Sequence, residues 1–270
     1  MSSLAFTTQI GCKVNCIRYC PQELVVAKHK GMKPLTLEAF KQLITTVPPD
    51  ITLHFAGFSE PFLNPECIDM IEWAHKKGHE IKIYSTLVGM TPEVAERVTH
   101  IPITHFELHL PDTHDAAHIE ITDEYLKCLG IILGGIHNLK FMNMGYEFVT
   151  NGSDLTARGM IARRKGRVYC ANMESPCYDM LPDGGVYFCC ITRGLEMKIG
   201  SLYESTYQEL IANFPEESVR LQKDVQSLCH VCCFAYPYWM HQVFKMKDKY
   251  LGSRPLGELL ISYSSKSKEE

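Results

Sequence analysis

The sequence has no apolar run approaching the ~20 residues that a helix needs to cross a bilayer, so no membrane span is expected. It has no basic stripe either. Lysine and arginine are scattered, the formal net charge is −4 and the isoelectric point is near 6.3, which argues against a nucleic-acid partner. The first residues, Met1-Ser2-Ser3-Leu4, lack the basic start and apolar stretch of a secretory signal, and a soluble, cytoplasmic protein is expected. Internal repeats and low-complexity tracts are missing. Hydrophobic residues make up 46% of the 270, enough for a real core, so wholesale disorder is excluded too.

What is abundant is cysteine, with twelve residues. In a reducing compartment disulfides are not the expected explanation. Placement carries the information: three fall at 12, 16 and 20, seven fall between 170 and 233, and only Cys67 and Cys128 stand alone. Two groups at opposite ends of a chain point to two metal sites, because thiols that merely fill a core would not segregate in this way.

Residues 4–150 alternate strand-like and helix-like segments. Strand-like stretches fall at 4–10, 51–55, 81–84, 106–110 and 139–143. Between them, Thr36 can cap a helix with Leu37, Phe40, Leu43, Ile44 and Val47 on one face, and Pro48-Pro49 ends it. Asn64 before Pro65, and Thr91 before Pro92, read as further helix starts, and residues 125–133 read as a fourth helix. This rhythm predicts a parallel sheet with right-handed crossovers. A closed eight-unit barrel needs ~250 residues, more than the chain provides before its cysteine-rich end. The expected fold is therefore α/β, a partial (β/α)6-type barrel over residues 1–165. A small cysteine-rich domain at 166–250 and a polar tail at 251–270 follow. Asp183-Gly184-Gly185 marks a β-hairpin between residues 178–181 and 186–189, and a short helix is expected over 207–213.

In such folds ligands sit at the C-terminal ends of the strands, and the informative residues lie there. Gly11-Cys12-Lys13-Val14-Asn15-Cys16-Ile17-Arg18-Tyr19-Cys20-Pro21 follows the first strand. Thiolates are the usual ligands of iron–sulfur clusters, and three of them leave one iron of a [4Fe–4S] cube open. On a continuous helix Cys12 and Cys20 would be ~12 Å apart, so a loop wrapped around the cluster is expected. A zinc knot using His29 is the competing reading. After the second strand comes Phe55-Ala56-Gly57-Phe58-Ser59-Glu60-Pro61, and after the third Ser85-Thr86.

These motifs together resemble the radical S-adenosylmethionine (SAM) superfamily. The three cysteines, the aromatic Tyr19 before the last of them and the closing Cys20-Pro21 are similar to its cluster loop. The family's usual spacing has three and then two residues between the cysteines; here there are three and three, with the extra residue at Ile17-Arg18. The segment Gly57–Pro61 is similar to its Gly-Gly-Glu-Pro element. The resemblance implies that Gly57, Ser59 and Glu60 hold the amino group of SAM, with Ser85 and His109 as further contacts. It also implies that the cluster reductively cleaves SAM to a 5′-deoxyadenosyl radical, which takes a hydrogen atom from a substrate.

At the other end, Cys170, Cys189, Cys229 and Cys232 resemble the ligands of the twitch domain, a shortened SPASM domain. The hairpin Leu181-Pro182-Asp183-Gly184-Gly185-Val186-Tyr187-Phe188-Cys189 and the element Gly200-Ser201-Leu202-Tyr203 belong to the same pattern. The resemblance implies an auxiliary [4Fe–4S] cluster; a zinc ribbon is the competing reading. Cys177, Cys190 and Cys233 are then spare thiols able to return a hydrogen atom to a substrate radical, and the ligand choice within 170/177, 189/190 and 232/233 stays open. The expected reaction is dehydrogenation or epimerisation of a sugar- or aminocyclitol-like small molecule, served by a reductant such as flavodoxin or ferredoxin. Peptide modification and a non-enzymatic zinc-binding interaction module are the alternatives.

Overall fold

The computed structural model describes residues 2–14, 16, 20, 22–111, 117–143, 165–170, 173, 176–189, 195, 197–212, 214, 229–230, 232 and 235–251. In chain order they form β1 (Ser3–Phe6), α1 (Gln22–Lys28), α2 (Leu37–Leu43), β2 (Thr52–Phe55), α3 (Cys67–Lys76), β3 (Ile81–Ser85), α4 (Pro92–Thr99), β4 (Ile103–Leu110), α5 (Asp123–Gly135) and β5 (Leu139–Asn143). Then come β6 (Val168–Cys170), β7 (Cys177–Met180), β8 (Gly185–Tyr187), β9 (Lys198–Ser201), α6 (Tyr207–Ala212), β10 (Ala235–Pro237) and α7 (Tyr238–Leu251).

The predicted parallel sheet is present, and its strand order is β5-β4-β3-β2-β1-β7-β8-β9. Six strands, from β5 to β7, run parallel, and the β7–β8–β9 arm continues antiparallel. This is the α/β partial barrel that the sequence predicts. The hairpin expected in the small domain is part of the same sheet: β7 lies parallel to β1, with Leu4 opposite Tyr178 and Phe6 opposite Met180. A separate antiparallel pair, β10–β6, brings Ala235 opposite Cys170.

Helix starts follow local chemistry. The hydroxyls of Thr36, Thr91 and Thr122 accept from the backbone N–H of Ala39, Val94 and Tyr125, satisfying donors that have no partner within the helix. Asn64, expected as the cap of the next helix, does accept from the Glu66 backbone N–H through its side-chain oxygen (3.0 Å), and it has a further task. Its amide donates to Thr8 O (3.0 Å) and Leu35 O (2.8 Å), tying together the chain after β1, the approach to α2 and the turn after β2. Helix α3 instead begins three residues later, at Cys67, with no side-chain cap.

One face of the sheet is apolar. Leu4, Phe6, Leu53, Phe55, Ile81, Ile83, Phe106, Leu108, Tyr178 and Met180 are buried with the inner residues of α2 to α6 in one core. Phe6, Phe40 and Phe55 pack together at centroid distances of 5.1–5.9 Å, Phe6 edge-on to Phe40 and stacked on Phe55, each burial contributing about 2–3 kcal/mol. Parallel strands covered on both sides usually read as continuous apolar runs. Here they alternate, and the opposite face carries Ala5, His54, Tyr84, His109, Cys177 and Asp179 around a cavity.

Candidate functional site

Three strand ends converge on this cavity. The backbone N–H of Phe58, after β2, donates to the Thr7 hydroxyl after β1 (3.0 Å). Between them Gly57 has φ +92°, and a Cβ there would collide with that same hydroxyl. Gly57 is thus required for two reasons, its left-handed backbone and the close approach of β1. Gly57→Ala is expected to lower stability by about 2–3 kcal/mol and to shift the loop, which thermal unfolding checks.

Glu60, 6% exposed, joins this loop to β3. Its carboxylate accepts from the Ser85 hydroxyl (2.7 Å), the Thr86 hydroxyl (2.7 Å), the Thr86 backbone N–H (2.6 Å) and the Phe62 backbone N–H (3.3 Å). Burial pushes its pKa up, and these four donors oppose the shift. The pair Ser85-Thr86 is thereby fixed at the cavity rim, and the next residue, buried Leu87, adopts φ +65°, a conformation that costs a branched side chain energy.

The cysteine loop is coil at its described positions, as predicted, and hangs on the same turn. Cys12 Sγ accepts from the backbone N–H of Glu60 (3.4 Å). Gln22 Nε2 donates to Cys20 Sγ (3.3 Å) and to Phe58 O, linking the third cysteine to the Gly57 turn. Cys12, Cys16 and Cys20, each partly exposed, line one cavity of about 360 Å³ together with Gly57, Ser59, Glu60 and Thr86. Burial pushes the Cys20 thiol up to about 11, with the side-chain hydrogen bond from Gln22 opposing it. Among the described residues no three such side chains already form a group fitted to a single metal ion. A larger cleft of about 840 Å³ between residues 87–91 and 117–125 has none of the cysteines on its wall.

Ser85 stands behind Glu60, whereas Thr86 and His109 reach the cavity. Deeper in, sequence reasoning missed His54, Tyr84 and Asp179. Tyr84 sits among His54, His105 and His109 at centroid distances of 5.4–6.5 Å. Glu107 accepts from His109 (3.2 Å) and His105 (3.3 Å), given protons on the facing nitrogens, and these bonds hold its carboxyl below the usual range. Cys177 lies with its sulfur 3.8 Å from His54 Nδ1. Burial pushes this thiol up to about 12, helped by the charge of Asp179, and lowers His54 to about 4. The signal that could have found these residues is the alternation in Ile-Thr-Leu-His-Phe, Ile-Lys-Ile-Tyr-Ser and Phe-Glu-Leu-His-Leu, where every second residue avoids the core.

Asp179 is 4% exposed, and its Oδ2 has no hydrogen-bond partner. Burial alone raises its pKa from 3.8 to about 7. Folded protein therefore keeps this proton between those pH values while unfolded protein releases it, and stability falls as pH rises through the window. Asp179→Asn should remove the penalty, raising stability by up to about 4 kcal/mol at pH 8 and by little near pH 4. Thermal unfolding of both proteins across pH checks this.

The C-terminal thiols also converge. Cys170 ends β6; Cys229, pushed up to about 11 mainly by burial, also feels Cys170 and Cys232; Cys189 packs against Cys232 and Ala235. Cys177 lies instead on the cavity wall with His54. Tyr19, Cys190 and Cys233 lie outside the described residues.

No family's sequence profile matches the chain. A PqqA peptide cyclase from Streptomyces rochei is 27% identical over 108 residues, which is 39% of this chain and only 29% of that relative's length. Among solved structures, BtrN in complex with AdoMet and 2-DOIA superposes with a TM-score of 0.61 at 13% identity, covering 88% of this chain and 93% of that one. BtrN in an open conformation gives 0.50 at 12% identity, covering 86% and 91%. These neighbours are radical SAM enzymes. With six parallel strands, the antiparallel arm and a cysteine loop after the first strand, the chain has the radical SAM fold.

Proposed function

We propose that this chain is a radical SAM enzyme with two [4Fe–4S] clusters, acting on a substrate held on the polar face of the sheet. The observation that supports this most is the meeting of Cys12, Cys16 and Cys20 with Gly57, Ser59, Glu60 and Thr86 on one cavity at the strand ends. Their chemistry fits: three thiols for three irons, and acceptors beside them for an ammonium group. When bound, the cluster and SAM together supply a 5′-deoxyadenosyl radical, which removes a hydrogen atom from the substrate. Gly57 lets the backbone approach the methionine moiety. Glu60 contributes negative charge and fixes Ser85 and Thr86, and His109 borders the chamber. Tyr19 serves next to the third cysteine.

In this reading the barrel occupies residues 1–165, a twitch-type domain at 166–250 adds β7 to the barrel's sheet beside β1, and a tail at 251–270 follows. Cys170, Cys189, Cys229 and Cys232 hold the auxiliary cluster, supported by the mutual influence of Cys170, Cys229 and Cys232 and by the packing of Cys189 on Cys232. Flavodoxin or ferredoxin is the proposed reductant. The reaction is dehydrogenation of a small molecule: beyond the hydrogen atom, one proton and one electron must leave the substrate, and a cluster held by these four cysteines would supply the electron acceptor.

A second reading, epimerisation, is favoured by one observation. Cys177 borders the cavity and is held protonated, the form that can give a hydrogen atom. The thiyl left behind would need one electron and one proton to return. Cys190 and Cys233 are the other candidate donors. The likeness to a PqqA peptide cyclase favours a peptide substrate instead.

Anaerobically purified protein is expected to contain ~8 iron atoms per chain and, once reduced, to release 5′-deoxyadenosine and methionine from SAM. A colourless protein with stoichiometric zinc would overturn the proposal in favour of an interaction module. With a substrate in hand, a carbonyl product two mass units lighter marks dehydrogenation. Deuterium from solvent in a product of otherwise unchanged mass marks epimerisation, because thiol hydrogens exchange with water.

A further inference from the structure

The face of the sheet that borders the cavity holds a carboxylate whose position no requirement of the fold explains. Asp179 is almost wholly buried, its Oδ2 has no partner, and it borders the cavity. Among the described residues no cation offsets it: the charge of Lys82 is felt by His54 and Cys177, while only burial acts on Asp179. A buried carboxylate without a donor or counter-charge destabilises a protein. Its retention makes sense where a ligand brings the missing group.

The register locates that ligand. On β1, Ala5 is paired on one side with His54 and on the other with Asp179, so the three side chains share one face and one level. Strands are ~4.8 Å apart, which sets the Cα atoms of His54 and Asp179 ~10 Å apart across Ala5. The small methyl group of Ala5 leaves the floor between them open. His54 is a second buried polar group without full partners: its Nε2 has none, while Nδ1 faces the Cys177 sulfur. With the Cys177 thiol donating to Nδ1, Nε2 carries the proton and can donate to a hydroxyl.

We infer that Asp179, His54 and Ala5 form a subsite for a protonated primary amine on a substrate of about one ring, the ammonium on Asp179 and a hydroxyl on His54. The inference rests on the cavity being the substrate chamber of the enzyme proposed above, and it names the substrate class. An ammonium supplies what Oδ2 lacks, a charged donor in a place where water is scarce. It also suits a chamber whose other carboxylate, Glu60, already has four donors of its own.

The test needs no turnover. Anaerobic holoenzyme is titrated with cyclohexylamine and the isomeric aminocyclohexanols, and with cyclohexanol and N-acetylcyclohexylamine as neutral counterparts, by ligand-observed NMR at pH 8. At least one amine is expected to bind about tenfold or more tightly than its neutral counterparts. Asp179→Asn should erase that preference while gaining thermal stability; a carboxylate with a structural role would lose stability instead. Should Asp179→Asn not fold, Ala5→Val fills the floor without changing charge and should weaken amine binding about tenfold. Equal binding of amines and neutral analogues, no amine binding, or a preference that survives Asp179→Asn or Ala5→Val overturns the inference. Because SAM cleavage without substrate is assayed separately, failure here is distinguishable from failure of the radical SAM proposal.

Discussion

Replacing Cys12, Cys16 and Cys20 together with alanine is expected to abolish SAM cleavage and to leave about half the iron. The loss should exceed ~10³-fold, since positioning groups cannot replace the electron that the cluster supplies. Stability should change little. The three thiols are only partly buried, and their contacts within the protein include weak sulfur hydrogen bonds from Glu60 N–H and the Gln22 amide. Fold and chemistry are therefore separable at this loop, and circular dichroism should match the parent protein. Iron analysis, the visible absorbance band and 5′-deoxyadenosine release are the three readouts. Unchanged iron in the triple variant would assign both clusters elsewhere. Cys20 in particular illustrates what iron must overcome, because burial holds its thiol protonated to about pH 11, and a metal binds the thiolate.

Glu60→Gln is expected to cost about 2–4 kcal/mol of stability and to weaken SAM binding by at least about tenfold, with iron retained. The reason lies in donor counting. All four contacts on the carboxylate are donors: the Ser85 and Thr86 hydroxyls and the backbone N–H groups of Thr86 and Phe62. Glutamine is nearly the same shape but brings an NH₂ group into this acceptor site. Whichever way the amide turns, it confronts a fixed backbone N–H, from Phe62 on one side or Thr86 on the other. The Thr86–Leu87 turn, which keeps a leucine at φ +65°, loses its clamp, and the cavity rim moves with it. Thermal unfolding and equilibrium SAM binding measure the two effects. A variant that unfolds like the parent and binds SAM equally well would remove Glu60 from both tasks. One that loses SAM affinity with full stability would point to direct contact with the ammonium alone.

Most of the barrel is legible in the amino-acid sequence. Helix starts at Thr36 and Thr91 follow from a hydroxyl placed before an amphipathic run, and strands 51–55, 81–84 and 139–143 follow from composition and spacing. The segregation of ten of the twelve cysteines into two groups is visible in the sequence, as is the Gly57-Phe58-Ser59-Glu60-Pro61 turn after the second strand, and the first cysteine group meets that turn on one cavity. All of these signals are local, set within one or two helical turns or a single strand.

What stays hidden depends on partners far along the chain. Asn64 has the local signature of a cap and its oxygen accepts from Glu66 N–H, but its NH₂ group donates to Thr8 O and Leu35 O, which only folding brings near it. Nothing local says that Cys177–Met180 returns to lie parallel to β1 rather than folding apart in the C-terminal region. That pairing places Asp179 beside Ala5, and it brings Cys177 to His54 across 123 positions of sequence. Sequence by itself determined most strands and helices of the barrel and the placement of the thiols along the chain, because backbone periodicity and capping are short-range. Tertiary structure alone decided strand order and the make-up of the polar face, because sheet hydrogen bonds join residues without regard to their distance along the chain.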